Sequence, residues 1–161
     1  MAAIIASRHV PASQHGLLRL AGFLTVALLA MLLVTGPAAG EQAVSPADAT
    51  ATQQVIDDQL KAFSSGDHAR AYSHAAPSIK RVFPTVEQFI AMVRNGYDPV
   101  YAPGDYHFGR NVFLYGEVYQ EVIVTDGTGR QWQAVYTLKQ QEDGSWKITG
   151  VKLNPHKGAS V

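Results

Sequence analysis

Residues 126–153 read DGTGRQWQAVYTLKQQEDGSWKITGVKL, and this stretch decides the fold. From Gln131 to Gln140 the chain alternates. Trp132, Ala134, Tyr136 and Leu138 take one face; Gln131, Gln133, Thr137 and Lys139 take the other, with Val135 the exception. A period of two held over ten residues is a strand with one buried face. Asp126-Gly127-Thr128-Gly129 before it and Glu142-Asp143-Gly144 after it are turn signals, so Ser145 to Leu153 returns as a second strand. There Trp146 and Ile148 share a face, and Gly150 marks a bulge after which Val151 and Leu153 change sides. Just upstream, Tyr106 to Tyr115 and Glu117 to Thr125 read as two more strands joined near Gly116.

Before Gly96 the period is helical. Ser45-Pro46-Ala47-Asp48 is a helix start: serine caps, proline takes N1, and Asp48 at N3 closes a capping box. Val55, Ile56, Leu60 and Phe63 follow at helical spacing until Gly66 ends the run. Asp67 caps a shorter second helix, His68 to Ala75, which Pro77 stops; Ser78 to Val82 offers one further turn. Thr85-Val86-Glu87-Gln88 starts a third helix whose apolar face is Val86, Phe89, Ile90 and Val93, with Arg94 suited to its C-terminal dipole. Three helices followed by four antiparallel strands make an α+β fold, with the helices on one face of a curved meander. Phe63, Leu60, Trp132, Tyr136, Trp146 and Ile148 are expected to be mostly buried where the first helix crosses the sheet.

The first forty residues contain no acid, whereas all 13 Asp and Glu lie beyond them. Arg8 and Arg19 precede an uncharged run, Leu20 to Ala39; Gly36-Pro37 breaks it, and Ala38-Ala39-Gly40 places small residues at −3 and −1 of a cut before Glu41. This is the pattern of a secretory signal spanning 1–40. At about 1.5 Å per residue the run could also cross a bilayer of roughly 30 Å, so an uncleaved anchor at 20–39 is the rival. Either way residues 41–161 are expected outside the cytoplasm: periplasmic or secreted if cleaved, or held at the inner membrane. Residues 41–44 read as a disordered lead, 45–153 as the domain, and 154–161 as a mobile tail.

Without Arg8 and Arg19 the exported part keeps 11 basic against 13 acidic residues, a net of −2. That lacks the electrostatic footprint of a nucleic-acid binder. The chain has no cysteine, which excludes disulfides, a lipid-bearing cysteine, thiolate zinc and a cysteine nucleophile. Its 121 residues must hold together by core packing.

Two segments resemble a known superfamily when taken in order. Gln59-Leu60-Lys61-Ala62-Phe63-Ser64-Ser65-Gly66-Asp67 followed by Ala71-Tyr72 resembles the opening of nuclear-transport-factor-2-like (cystatin-like α+β) domains. Tyr136-Thr137-Leu138 with Asp143-Gly144-Ser145-Trp146-Lys147-Ile148 resembles their last hairpin. From about Val55 to Leu153 the chain looks like an uncharacterised, largely exported bacterial family of that superfamily, and Phe83-Pro84, Phe89 and Tyr97-Asp98-Pro99-Val100 fit it too. The resemblance implies a cone-shaped half-barrel with a pocket between sheet and helices, and no particular activity.

Superfamily enzymes pair an acid or histidine deep in the cone with Tyr or Asp donors, and an apolar pocket raises a carboxylate toward neutral pH. The densest such cluster is Asp105-Tyr106-His107. At strand spacing Asp105 and His107 share a face and form the candidate acid/base pair, while the plainer reading is a solvated strand edge. Tyr72 and His74 could point polar tips into the cone mouth. Tyr115, Tyr119 and Tyr136 with Trp132 could line a pocket for an apolar ligand, or simply form sheet core. His68, His74, His107 and His156 show no metal-ligand spacing, and there is no G-x-S-x-G or phosphate-cradling loop; no metal and no cofactor is expected. The reading is a non-enzymatic exported domain that binds a small ligand or a protein, with a homodimer through the sheet as one form of partner. The alternatives are a proton-transfer or dehydratase enzyme using Asp105, His107 and a tyrosine, and a membrane-tethered interaction module.

Overall fold

The computed structural model describes residues 41–156. The signal or anchor at 1–40 and the end of the expected tail lie outside them.

The first helix, α1 (Pro46–Ser64), starts as its sequence dictates. Ser45 Oγ accepts from Asp48 N at 3.1 Å and donates to Asp48 Oδ2 at 2.7 Å. It ends in a Schellman motif, with Gly66 at φ +73°, Gly66 N donating to Phe63 O and Asp67 N to Ala62 O. Asp67 caps α2 (His68–Ser73) by accepting from Arg70 N. That helix stops two residues short of the expected Ala75, because the chain there turns to the sheet. Ile148 N donates to His74 O and Ala76 N to Ile148 O, a parallel bridge at Ala75. Pro77 ends nothing; it opens α3 (Pro77–Val82) at N1. Thr85 caps α4 (Val86–Gly96), and a single turn, α5 (Asp98–Tyr101), follows on Pro99. Among the described residues five helices therefore replace the three expected: the possible extra turn at Ser78 to Val82 is a helix, and a fifth forms where Asp98-Pro99 starts a turn.

The strands β1 (Asp105–Leu114), β2 (Glu117–Thr125), β3 (Gln131–Gln140) and β4 (Trp146–Pro155) pair antiparallel in the order β1-β2-β3-β4. Tyr115 (φ +53°) and Gly116 (φ +81°) form the β1–β2 hairpin turn, and two successive positive φ values mark type I′. The register of β3 on β4 slips between Thr137, opposite Gly150, and Leu138, opposite Ile148, so Thr149 is the extra residue of a bulge. The bulge inverts the alternation as expected: odd-numbered Val151 and Leu153 face the helices, as even-numbered Ile148 does. A second bulge sets Gly109 and Arg110 opposite Glu121.

Two expectations about the ends are corrected. Gln42, in the supposed disordered lead, exchanges both backbone hydrogen bonds with Phe113 at 2.9 Å. The supposed mobile tail begins inside β4, which continues through Asn154 to Pro155, and His156 N donates to Gln131 O. In the first place the edge strand β1, and in the second the start of β3, offered free backbone groups for the chain to satisfy.

Ile56, Leu60 and Phe63 of α1 meet Val122, Val124, Ala134, Tyr136, Leu138 and Ile148 on the inner sheet face, closed by Phe89, Ile90 and Val93 of α4 and Val100 of α5. Trp132 and Trp146 are only half-buried at the rim. Val135, the exception in the alternation, faces outward.

Candidate functional site

Beside this core lies a cavity of about 330 Å³, walled by Gln59 and Phe63 of α1, Ile79 of α3 and Phe83 just after it, Phe89 and Met92 of α4, Val100 of α5, and Ile148 to Val151 of β4. Two contacts frame it. The His74–Ala76 bridge pins one wall to β4, and Tyr72 Oη donates to Phe83 O at 2.6 Å, holding the α3–α4 link as another. The Thr149 bulge shapes the β4 wall. No Asp, Glu, His, Lys or Arg lines the cavity; its polar side chains are Gln59, Tyr97 and Thr149. Gln59, 3 % exposed, donates from Nε2 to Ala71 O at 3.1 Å, and no group among the described residues donates to its Oε1. Thr149 Oγ1 donates to Thr137 Oγ1 at 3.0 Å. Volume and lining fall in the range of small-molecule sites: largely apolar with a few placed polar atoms.

A family model described as Domain of unknown function (DUF4864) matches residues 45–161. The chain belongs to that family. Among solved structures, an NTF2-like protein of unknown function from Methylobacillus flagellatus KT is 14 % identical over 73 % of this chain and all of that one, with a TM-score of 0.52. An NTF-2 like protein of unknown function from Silicibacter pomeroyi DSS-3 is 16 % identical over 71 % of this chain and all of that one, with a TM-score of 0.49. The first likeness shows that this DUF4864 domain has the NTF2-like α+β fold, and at such identity it shows the fold alone. No curated protein matches the chain.

The structure does not gather the sequence-predicted residues into one site. Asp105 and His107 are exposed, and neither side chain hydrogen-bonds within the described residues. They share a face as their spacing implies, but it is the outer one. Tyr106 pairs opposite Val124 and points inward, so its two neighbours must point away from the helices. The acid/base pair is thus separated from the cavity by the sheet itself. Tyr106 instead donates to Asp57 Oδ1 at 2.7 Å, and burial, reinforced by that bond, pushes its phenol up to about 12.

The predicted pocket lining is corrected in the same way. Tyr115, 76 % exposed, sits at the hairpin tip. Trp132 Nε1 donates to Asp126 Oδ2 at 2.8 Å at the far end of β3. Tyr119 faces outward, half-buried. Tyr136 is fully buried core, and its hydroxyl has no partner. His74 faces Asp58, with Nε2 and Oδ2 2.5 Å apart, and Arg70 pairs with the same carboxylate; the arginine foremost holds that carboxyl below its ordinary value. Tyr72 comes nearest the mark: it braces the cavity wall and packs its ring on Phe89 at 5.3 Å without lining the space.

Gln59 was the residue to notice. Thr52, Ile56, Gln59, Leu60 and Phe63 form the buried stripe of α1, and a glutamine there must find partners inside. That polar interruption of an apolar stripe was the available signal.

Proposed function

We propose that this DUF4864 domain is a non-enzymatic binding domain that takes a small, largely apolar molecule into the 330 Å³ cavity, and that it works outside the cytoplasm. The observation that carries the reading is the cavity's lining: aromatic and aliphatic walls, no ionisable acid or base besides Tyr97, and one buried amide. Proton-transfer chemistry would need a carboxylate or imidazole where the lining has none, and Asp105 and His107 stand on the outer face.

The test is titration with N-phenyl-1-naphthylamine, a neutral apolar dye whose fluorescence rises on leaving water. We expect saturable binding of one dye per chain, lost in Met92→Trp, which fills the cavity from its α4 wall. Equal binding by that variant would place the dye elsewhere and end the reading. Asp105→Asn with His107→Ala should bind as the parent does.

Export rests on the acid-free first forty residues. The mature protein should begin at Glu41; intact protein retaining Met1 in salt-washed membranes would establish the anchor instead.

A second copy of the chain is the partner reading that one observation favours. A shallow outer-face groove brings Arg110 and Glu121 beside Val112, Tyr119 and Val135. Both charge signs flanking a largely apolar strip suit a two-fold interface, in which each copy's arginine can meet the other's glutamate. Sedimentation should show a dimer that Val135→Glu dissociates, and a parent monomeric at high concentration would exclude it.

A further inference from the structure

We infer that the cavity selects a neutral ligand offering a hydrogen-bond donor, a hydroxyl or N–H on an apolar body, over the matching carboxylate. This rests on the proposed binding to the cavity and specifies its ligand class. Ala71 lies in α2, and the N–H four residues on, that of Ala75, donates to Tyr72 O instead. Ala71 O is left for Gln59, and because a carbonyl can only accept, it is the amide nitrogen of Gln59 that faces it. The orientation of the amide follows without choice: Nε2 is occupied, and Oε1 stands without a donor in a side chain that is 97 % buried, being only 3 % exposed, and lines the cavity.

An accessible acceptor at the cavity wall to which no protein group donates is a place that a ligand's O–H or N–H can fill. A carboxylate meets the opposite situation. It would leave water for a lining without Lys, Arg or His, would face an acceptor oxygen, and would find as side-chain donors only one spare amide hydrogen and the Tyr97 hydroxyl, since Thr149 Oγ1 already donates to Thr137. An anion buried with so few donors is strongly disfavoured. Discrimination of this kind is large when a site's polar atom is left unpaired by the wrong ligand.

Three ligands with one body separate the possibilities: decan-1-ol, 1-methoxydecane and decanoate at pH 8, each competing with N-phenyl-1-naphthylamine on the protein as its host processes it. The alcohol should compete roughly tenfold or more tightly than either other compound, the factor that corresponds to one hydrogen bond of about 1.4 kcal/mol. Gln59→Met, similar in length but without the acceptor, should bring alcohol and ether to near equality. Since that change also strips Ala71 O of its partner and could impair folding, a second measurement uses the parent protein. The side-chain carbonyl ¹³C of Gln59 should shift with the alcohol and stay in place with the ether. Equal affinities for alcohol and ether, or tighter binding of decanoate, would overturn the donor preference and leave cavity binding intact. Failure of all three to displace bound dye would remove the cavity reading and this inference together.

Discussion

The hydroxyl of Tyr136 is buried without a partner, beneath α1 and opposite Gln120 on β2. Gln120 itself is fully engaged: its Nε2 donates to Gly109 O and Glu121 O, and its Oε1 accepts from Gln53 and Asn111. Tyr136 therefore bears a desolvation cost that nothing returns, and burial pushes its phenol well above the ordinary value. Tyr136→Phe should stabilise the fold by about 1 kcal/mol, the low end for a buried unsatisfied group, read as a raised urea midpoint at unchanged slope. Loss of more than 1 kcal/mol would mean the hydroxyl has a partner after all. Asp126 is the contrary case. Its carboxylate accepts from Thr128 Oγ1, Trp132 Nε1, Arg130 N and Thr128 N, and those bonds, Thr128 and then Trp132 first, hold it far below its ordinary value. A depressed folded value stabilises above the unfolded value of about 3.9 and is lost as pH falls through the folded one. Parent stability should therefore decline below about pH 4. Asp126→Asn should be less stable at pH 7, since its amide turns a donor toward Trp132 Nε1, and should show a flatter acid limb. Parallel pH curves for the two proteins would refute the assignment.

Elements were legible where side-chain period and end signals agreed. Ser45-Pro46-Ala47-Asp48 and Gly66 bounded α1, and the alternation from Gln131 to Gln140 gave β3 its limits and its inner face. Phe63 lies where α1 meets that sheet, stacked on Phe89 at 6.2 Å and tilted on Tyr101 at 5.9 Å. Phe63→Ala should cost about 3–5 kcal/mol in chemical denaturation, while a loss under 1 would show that the cavity wall collapses freely to fill the gap. The end of α2 was not legible, because it is set by His74 and Ala76 bonding to Ile148, which lies more than seventy residues away along the chain. Nor was α5, four residues long, which local periodicity cannot register. The site was less legible than the fold for a related reason. Chemistry-bearing residue types drew the eye to Asp105 and His107, but which side of a sheet a strand shows to its helices is settled by pairing, here Tyr106 with Val124. The cavity is an unfilled space between elements, and no residue type announces a space.

At the scale of the molecule the sheet is open, and each of its two edges is met at one place by the chain itself. Gln42 pairs with Phe113 on β1, and Ala75 bridges Ile148 on β4. Gln42→Pro removes the N–H that donates to Phe113 O; it should lower stability by about 1 kcal/mol, the net value of a typical hydrogen bond, and speed aggregation on warming, followed by light scattering. Unchanged scattering would mean that this edge needs no cover. An uncovered strand edge is a template on which the next molecule's backbone can continue the sheet, and repetition of that step is how soluble β-proteins become fibrils. By closing one rung on each side with its own backbone, the domain interrupts any sideways polymer at its first step and leaves broad faces, not rims, as the surfaces through which copies can meet.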